Sequence, residues 1–392
     1  MWRSYDSYPM IPFDFHCRTR IVFGPGKLDM LGALAGELGA RRALVVSDPG
    51  IIAAGHTQRG ISSLEKAGIE THLFTELHEN PNTDDVEAGL RFCKRYDPEI
   101  IIGFGGGSSM DCAKGINFVY TNGGKVADYW GVGKALQPML PMIAVPTTAG
   151  TGSETQSFAL ISDAKTHVKM ACGDKKASFR VAVLDPELTL TQPPRVTALT
   201  GIDAVTHAVE TYVTKARNSI SLSFSREAWR LLAGNFVRVM EQPRDLDARA
   251  GMQLGACLAG MAIENSMLGA AHALANPLTA RYGIPHGQAV GMMLPHVVRF
   301  NGEEHGRWYF DLLELAPGLN GSVTAANATE KLAEFVAQLA LQAGLKLRLA
   351  DLGVERRELT AMAGEAATQW TGRFNPRDVG ERELNTLYEA AF

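Results

Sequence analysis

Short apolar runs alternate with helical stretches through the first half of the chain. Four runs have the length of a buried strand, and each is followed by Gly, Pro or Asp: residues 43–47, 100–104, 142–145 and 181–184. Helical segments lie between these runs, a pattern that predicts βαβ units and a mostly parallel sheet. Because ligands of such sheets collect beyond the carboxyl ends of the strands, we expect the site there.

The pattern changes after Asp185. The sequence Gln192-Pro193-Pro194 breaks the chain, and no convincing strand follows it. Apolar residues recur instead at helical spacing, at positions 228, 231, 232 and 236 and at positions 332, 335, 336 and 339. We therefore predict a dinucleotide-binding α/β domain over residues 1–191 and an all-helical, metal-binding domain over residues 192–392.

Composition and charge narrow the class of partner. The chain has 392 residues, and 38 Lys and Arg against 42 Asp and Glu give a net charge of −4. Since no dense basic block occurs, we expect a small-molecule ligand and no nucleic acid. No uncharged apolar run reaches the ~18 residues that cross a bilayer, so we expect no membrane association. The five cysteines are scattered, odd in number and without a CxxC pair, which favours the reducing cytoplasm.

A glycine-rich turn follows the predicted strand at residues 100–104. Gly105, Gly106 and Gly107 precede a segment of helical composition, in which Ser108 is placed to cap the helix and Asp111 follows three positions later. Glycines let the backbone approach a phosphate, and the amides at a helix N-terminus favour an anion. The turn is therefore a predicted phosphate site, with a tight turn that only packs as the alternative.

A second polar turn follows the predicted strand at residues 142–145. Its hydroxyl groups, on Thr147, Thr148 and Thr151, are suited to bind ribose or pyrophosphate oxygens. In the alternative interpretation they only satisfy the local backbone. Two such turns after two strands of one sheet favour a nucleotide site more strongly than either turn does alone.

Asp48 follows the predicted strand at residues 43–47. A carboxylate at this place can accept hydrogen bonds from both hydroxyls of an adenine ribose, and it would repel a 2′-phosphate. Asp48 therefore predicts NAD rather than NADP as the cofactor. The alternative is an aspartate that only ends the strand.

Four side chains of the second half form a candidate metal site. Asp203 and His207 are four residues apart and share one face of a helix, although such a pair can also be a simple hydrogen-bonded pair. His272 lies in an Ala/Leu-rich helix and His286 in a Pro-His-Gly turn, where each could be only structural. Together they offer one carboxylate and three imidazoles, a set that suits Fe(II) or Zn(II).

These motifs, taken in order, resemble the iron-containing (group III) alcohol dehydrogenase family. The resemblance rests on GGGS with Asp111 and Lys114, on PTTAGTGSE, on GIDAVTHAVE, and on GAAHALAN through GIPHG. It covers nearly the whole chain. It implies a Rossmann-like dinucleotide-binding α/β domain followed by an all-α domain, the architecture of dehydroquinate synthase, with a homodimer or higher homo-oligomer as the assembly.

The resemblance also assigns roles to residues. Those of the cofactor site are Asp48, Asn80, Gly105, Gly106, Gly107, Ser108, Asp111, Thr147, Thr148, Thr151 and Lys169, and those of the metal site are Asp203, His207, His272 and His286. One position departs from the family, because Asn276 stands where many members carry a second histidine near the nicotinamide. Since an amide does not titrate near neutral pH, the usual histidine route for the proton is in doubt.

The function that follows is a metal-dependent, NAD(H)-linked alcohol dehydrogenase and aldehyde reductase. Fe(II) is the expected ion, with Zn(II) as the alternative, and hydride passes between the nicotinamide and an alcohol or aldehyde held by the metal. Two other functions stay open at this point. One is an NAD- and metal-using lyase of the dehydroquinate-synthase type, and the other is a catalytically silent module that binds nucleotide and metal.

Overall fold

The computed structural model describes residues 11–316 and 323–392 of the chain. Within them the strands are β1 (Arg20–Phe23), β2 (Arg42–Ser47), β3 (Glu70–Phe74), β4 (Ile100–Gly105), β5 (Gly131–Val132), β6 (Met142–Pro146), β7 (Phe158–Ser162), β8 (Lys169–Gly173) and β9 (Val181–Leu184). The four strands predicted from apolar runs are confirmed as β2, β4, β6 and β9. The other five lie outside the runs from which strands were predicted.

Six strands form one parallel sheet in the order β1-β9-β6-β4-β2-β3. The helices of this half are α1 (Leu31–Glu37), α2 (Pro49–Ala53), α3 (His56–Lys66), α4 (Thr83–Tyr96) and α5 (Gly107–Asn122). The sequence order of strands and helices is that of a doubly wound α/β sheet, so the predicted fold class is confirmed for this half.

Both faces of the central strands are buried, which explains why their sequences are unbroken apolar runs. Ala43 and Val45 of β2 pack on one side with residues of α1 and α3, whereas Leu44 and Val46 pack on the other side with residues of α4 and α5. Side chains alternate across a strand, so a strand covered on both sides needs apolar residues at every position.

A second, three-stranded sheet has the order β5-β8-β7. Strands β7 and β8 form an antiparallel pair in which Ile161 lies opposite Met170, and β5 pairs with β8 in parallel. Ile161 and Met170 are buried in a small core with Phe118 of α5. This sheet places Lys169 at the first position of β8.

The rest of the described chain is helical. Its helices are α6 (Pro194–Val213), α7 (Ser219–Glu241), α8 (Leu246–Glu264), α9 (Ala270–Tyr282), α10 (His286–Leu313), α11 (Ala328–Gln342), α12 (Leu359–Ala367) and α13 (Glu381–Ala391). No strand follows β9 in the described residues, which confirms the prediction of an all-helical second part. In the same part of the chain no helix combines the length and the apolar character needed to span a membrane.

Two compact units can be separated. One comprises Cys17–Ala204 and Asn235–Gly260, and the other comprises Val205–Gly234 and Met261–Phe392 with residues 11–16. The bounds of the units fall inside α6, α7 and α8, so the chain passes from one unit to the other more than once. The division at residue 192 stays a prediction.

Candidate functional site

The two polar turns lie side by side at the carboxyl edge of the large sheet. Strands β4 and β6 are neighbours, and Gly105 at the end of β4 is opposite Pro146 at the end of β6. The backbone N–H of Thr147 donates to the carbonyl oxygen of Gly105 at 3.0 Å. The adjacent positions of the strands in the sheet therefore bring together the glycines of one turn and the threonines of the other.

Two of the three glycines are required by the protein itself. Gly105 has a φ of +150°, and a Cβ added there would lie 2.4 Å from Oγ of Ser109. A Cβ added at Gly107 would lie 2.7 Å from Cγ2 of Thr151. Packing against neighbouring side chains therefore explains these two glycines, as the alternative of a tight turn states. Their presence does not by itself require a bound phosphate.

The N-terminus of α5 offers a better argument for an anion. The N-cap is Gly106, and no side chain caps the helix. The prediction that Ser108 caps the helix, with Asp111 three positions later, is therefore wrong. Ser108 is already the second helical residue, and its Oγ accepts a hydrogen bond from the backbone N–H of Asn80 at 3.2 Å. A 16-residue helix whose first amides lack a side-chain cap is suited to bind a phosphate.

Thr147 also indicates that a nucleotide binds at the carboxyl edge of the large sheet. Its Oγ1 is buried and has no hydrogen-bond partner among the described protein groups. Buried hydroxyls are normally hydrogen-bonded, because an unpaired one costs about 1–3 kcal/mol. A polar group of a bound nucleotide would supply the partner. Thr148 and Thr151 are partly exposed beside it.

Asp48 has two contacts at this edge. Its Oδ1 accepts from the backbone N–H groups of Gly50 and Ile51 at 2.9 and 3.1 Å, so Asp48 is the N-cap of α2. Its Oδ2 accepts a hydrogen bond from Ser109 at 3.4 Å. Asp48 therefore has the structural role of ending the strand and capping α2. Its second oxygen points toward the glycine turn.

A buried polar network underlies the second turn. The ammonium group of Lys114 is fully buried and donates to the carbonyl oxygen and hydroxyl of Ser153 at 2.8 Å each and to the carbonyl oxygen of Phe158 at 2.7 Å. Asp111 accepts from the hydroxyl of Ser153 at 2.6 Å and lies 3.6 Å from Lys114. Burial raises the pKa of Asp111, and the Lys114 ammonium group opposes the rise. Asp111 therefore stabilises the second turn through Ser153 and Lys114. Its role in binding a cofactor stays a prediction.

Glu154 follows Ser153 in this network and is 3% exposed. Burial raises its pKa to about 7, and the nearby Lys114 ammonium group opposes the rise. A carboxyl group at this position therefore takes up a proton near neutral pH.

The helical part brings three of the four predicted metal ligands together. Asp203 and His207 lie on α6 and His272 on α9, and one ligand atom from each residue lies within 4.8 Å of those of the other two. All three are at most 5% exposed. One carboxylate oxygen and two imidazole nitrogens at this spacing fit a divalent transition-metal ion. Lys169 lies close enough to Asp203 and Asp111 to interact with both carboxylates.

The fourth predicted ligand, His286, lies next to this group but is not one of the three residues whose ligand atoms lie within 4.8 Å of one another. It is the first residue of α10, and the centre of its ring is 5.3 Å from that of His272. The rings of His207 and His272 are 4.9 Å apart. His286 is thus a neighbour of the three-residue group, and its role as a ligand stays a prediction.

Asn276 lies one helical turn after His272 on α9. Its amide nitrogen donates to Oε1 of Gln369 at 2.8 Å, and both side chains are partly exposed. The position is therefore filled by a pair of carboxamides, neither of which titrates.

Two family descriptions match the chain almost end to end. Residues 18–186 match "Iron-containing alcohol dehydrogenase", and residues 197–392 match "Fe-containing alcohol dehydrogenase family, C-terminal". The chain belongs to the iron-containing alcohol dehydrogenase family. The candidate metal site of Asp203, His207 and His272 thus lies in a member of a family whose name refers to a bound metal.

Relatives of this chain include alcohol oxidoreductases. Alcohol dehydrogenase 4 of Schizosaccharomyces pombe is 37% identical over 99% of this chain and 91% of its own length. The 1,3-propanediol dehydrogenase of Klebsiella pneumoniae is 34% identical over 98% of this chain and 100% of its own length. The protein is accordingly an alcohol oxidoreductase.

Solved structures agree with this assignment. A crystal structure of 1,3-propanediol oxidoreductase matches with a TM-score of 0.94 and 34% identity, over 97% of this chain and all of the other. Sulfoacetaldehyde reductase from Bifidobacterium kashiwanohense, solved in complex with NAD+, matches with a TM-score of 0.87 and 28% identity, over 97% of this chain and 99% of the other. These likenesses confirm the architecture predicted from the sequence.

Three residues of the site had no predicted role. Glu210 binds His272, Gln369 binds Asn276, and Ser153 joins Asp111 to Lys114. The sequence carries a signal only for Glu210, which stands three residues after His207 and seven after Asp203 on the same helical face. Gln369 lies 93 residues from its partner, so spacing along the chain could not have indicated it.

Proposed function

We propose that the protein is a metal-dependent, NAD(H)-linked alcohol dehydrogenase that also works as an aldehyde reductase. The observation that carries the proposal is the buried group of Asp203, His207 and His272, whose ligand atoms lie within 4.8 Å of one another. The group contains no cysteine, and a mixed oxygen and nitrogen set suits Fe(II), with Zn(II) as the alternative.

The protein residues of the proposed metal site have separable tasks. Asp203, His207 and His272 would hold the ion, and His286 would complete the set. When bound, a divalent ion supplies Lewis-acid polarisation of an alcohol or aldehyde oxygen, and a nicotinamide supplies or accepts the hydride. Burial of the three ligands at 5% exposure or less keeps bulk water away from them.

The cofactor side rests on the carboxyl edge of the large sheet. The first amides of α5 and the hydroxyl of Thr147 are the groups that we assign to the pyrophosphate and the nearby nucleotide oxygens. Oδ2 of Asp48 supports NAD over NADP, and the NAD+ complex of a related reductase supports the same choice. Asn80, Gly106, Ser108 and Lys169 stay in the proposed cofactor site as the resemblance implies.

Residue 276 gives the proposed enzyme a distinct proton route. The Asn276 and Gln369 carboxamides can donate and accept hydrogen bonds without changing charge. We therefore propose that the proton leaves through water or a ribose hydroxyl rather than through this position.

The proposal is tested by reconstitution. The metal-free protein is loaded anaerobically with Fe(II) or Zn(II) and offered NADH with a panel of aldehydes, and NAD+ with the matching alcohols, while nicotinamide absorbance is followed. We expect turnover with the loaded enzyme and none with His272→Ala, which lacks one of the buried ligands. Full occupancy by metal and NAD without turnover of any substrate would refute the proposal and favour the silent module.

The lyase alternative is distinguished in the same assay. A dehydroquinate-synthase-type reaction consumes no net NADH, whereas the proposed dehydrogenase oxidises one NADH for each aldehyde reduced. The family assignment favours the dehydrogenase. Net NADH oxidation that tracks alcohol formation one to one is the expected result.

Two further expectations belong to this proposal. All five cysteines are free thiols, which supports a reducing compartment such as the cytoplasm. The homodimer or higher homo-oligomer implied by the resemblance is checked by light scattering of the eluting protein, and a strictly monomeric active enzyme would contradict it.

A further inference from the structure

Glu210 lies directly behind the proposed metal ligands. It stands on α6, on the face that also carries Asp203 and His207, and it is 3% exposed. No family motif considered above gave it a role. A carboxylate that is buried so deeply needs strong hydrogen-bond partners to stay in the fold.

The first partner is the ring of His272. Oε2 of Glu210 lies 2.6 Å from Nδ1 of His272. Because a carboxylate only accepts, Nδ1 must carry the proton in this pair, and Nε2 is then the nitrogen that presents a lone pair. Only this tautomer can bind a metal through Nε2.

The second partner is the backbone of α9. Oε1 of Glu210 accepts a hydrogen bond from the N–H of Ala271 at 2.7 Å. The helix begins after Gly269, which provides no side-chain cap. Glu210 therefore caps α9 from another helix, and its negative charge lies at the positive end of the helix dipole.

Gly269 makes this approach possible. A Cβ at that position would lie 3.0 Å from Oε1 of Glu210 and 3.0 Å from Oδ1 of Asn375, closer than a side chain normally tolerates. Asn375 caps the same end of α9 by accepting from the N–H of Ala270 at 3.3 Å. Among the described residues, Glu210 is the cap of α9 that also contacts a proposed ligand, His272.

We infer that Glu210 is a positioning residue of the metal centre, an inference that rests on the proposed metal site. One of its oxygens selects the metal-binding tautomer of His272, and the other ties α9 to α6, the helix that carries Asp203 and His207. The carboxylate thereby sets both the tautomer and the placement of the His272 ring.

Glu210→Gln separates these two tasks. The amide oxygen can still accept from Ala271, so the cap on α9 is kept. The amide nitrogen then faces Nδ1 of His272 and donates to it, which moves the ring proton to Nε2, the nitrogen that the ion requires. Loss of such an outer hydrogen bond typically weakens metal binding by about 10- to 100-fold.

The measurement is the affinity of the metal-free protein for Zn(II), by competition with a chromophoric chelator, together with the absorption spectrum of the Co(II) form. We expect weaker Zn(II) binding in Glu210→Gln within that range, an altered Co(II) spectrum and a melting temperature close to that of the wild type. Glu210→Asp, which keeps a carboxylate on a shorter side chain, should recover part of the affinity.

Asn375→Ala is the matched control, because it removes the other cap on α9 and leaves the Glu210–His272 hydrogen bond in place. It should lower the melting temperature while Zn(II) affinity stays near that of the wild type. Wild-type affinity in Glu210→Gln would overturn the inference, as would equal losses of affinity and stability in Glu210→Gln and Asn375→Ala. If the wild-type chain itself binds no Zn(II), Co(II) or Fe(II), the proposed metal site fails instead.

Discussion

Glu154→Gln should stabilise the protein in a pH-dependent way. Glu154 is 3% exposed, and burial raises the pKa of its carboxyl group to about 7 from the ordinary value of 4.5. The carboxyl group is therefore protonated in the folded protein at pH values where it is already ionised in the unfolded chain. Glutamine resembles the protonated form in size and polarity, and it carries no charge at any pH.

The sign and the size of the effect follow from the two pKa values. Below pH 4.5 both states hold the proton, and Glu154 carries no penalty. Between pH 4.5 and about 7 the unfolded chain releases the proton while the folded chain keeps it, so the free energy of unfolding falls as the pH rises. At about 1.4 kcal/mol for each pH unit, the loss reaches about 3 kcal/mol and stays constant at higher pH.

Urea unfolding of the wild type and of Glu154→Gln at pH 5 and pH 8 measures this contribution to the free energy of unfolding. Both proteins are measured in the same metal-free state. We expect the stability difference between Glu154→Gln and the wild type to be larger at pH 8 than at pH 5 by about 2–3 kcal/mol. Glu241→Gln is the matched control, since Glu241 is exposed at the end of α7 and loses little hydration on folding. A Glu154→Gln difference that is the same at both pH values would refute the reasoning.

Three further predictions concern the cofactor and the proton. Asp48→Ser replaces the capping carboxylate with a hydroxyl that can still cap α2, and it removes the charge, so the ratio of kcat/KM for NADPH to that for NADH should rise. An unchanged ratio would count against Asp48 as the selective group. Gly107→Ala should weaken NADH binding in a fluorescence titration, because the new Cβ would lie 2.7 Å from Cγ2 of Thr151. Adding Thr151→Ser removes that methyl group and should restore part of the binding, since Oγ1 and Cβ of Thr151 also lie within 3.0–3.2 Å of the new Cβ. If the double variant binds as weakly as the single one, the clash is not the cause. Asn276→His should add a titration step near pH 6.5 to the kcat/KM profile, and a profile identical to that of the wild type would show that position 276 does not touch the reaction.

The sequence predicts the centre of the large sheet and fails at its edges. Strands β4 and β6 are covered on both faces, so every position is apolar and the runs stand out. The edge strands β1 and β3 have mixed burial, and the sequence of β3 includes Glu70, Thr71 and His72. Polar residues are tolerated there because one side of an edge strand meets solvent, which hides the strand from a search for apolar runs.

The candidate site, too, has parts that the sequence predicts and parts that depend on the tertiary fold. The Asp203 and His207 pair could be predicted because residues four apart share a helical face whatever the tertiary fold. The prediction of Ser108 as the cap was wrong, because the helix begins two residues earlier than that cap requires and its N-cap is Gly106. The contact of Glu210 with His272 depends on how α9 packs against α6, and no local pattern encodes that packing.

Helix α6 carries a buried polar stripe that the proposed metal ion would help to stabilise. Asp203, His207 and Glu210 form one polar stripe on a helix whose neighbouring residues Ile202 and Val205 are fully buried. Burying two carboxylates and an imidazole costs several kcal/mol unless each is engaged by strong partners. His272 and the N–H of Ala271 engage Glu210. Lys169 lies near the Asp203 carboxylate, and the proposed divalent cation would compensate its charge further. Such a stripe would be unfavourable in a purely apolar core, and it is the arrangement that we expect if Asp203 and His207 hold the proposed ion.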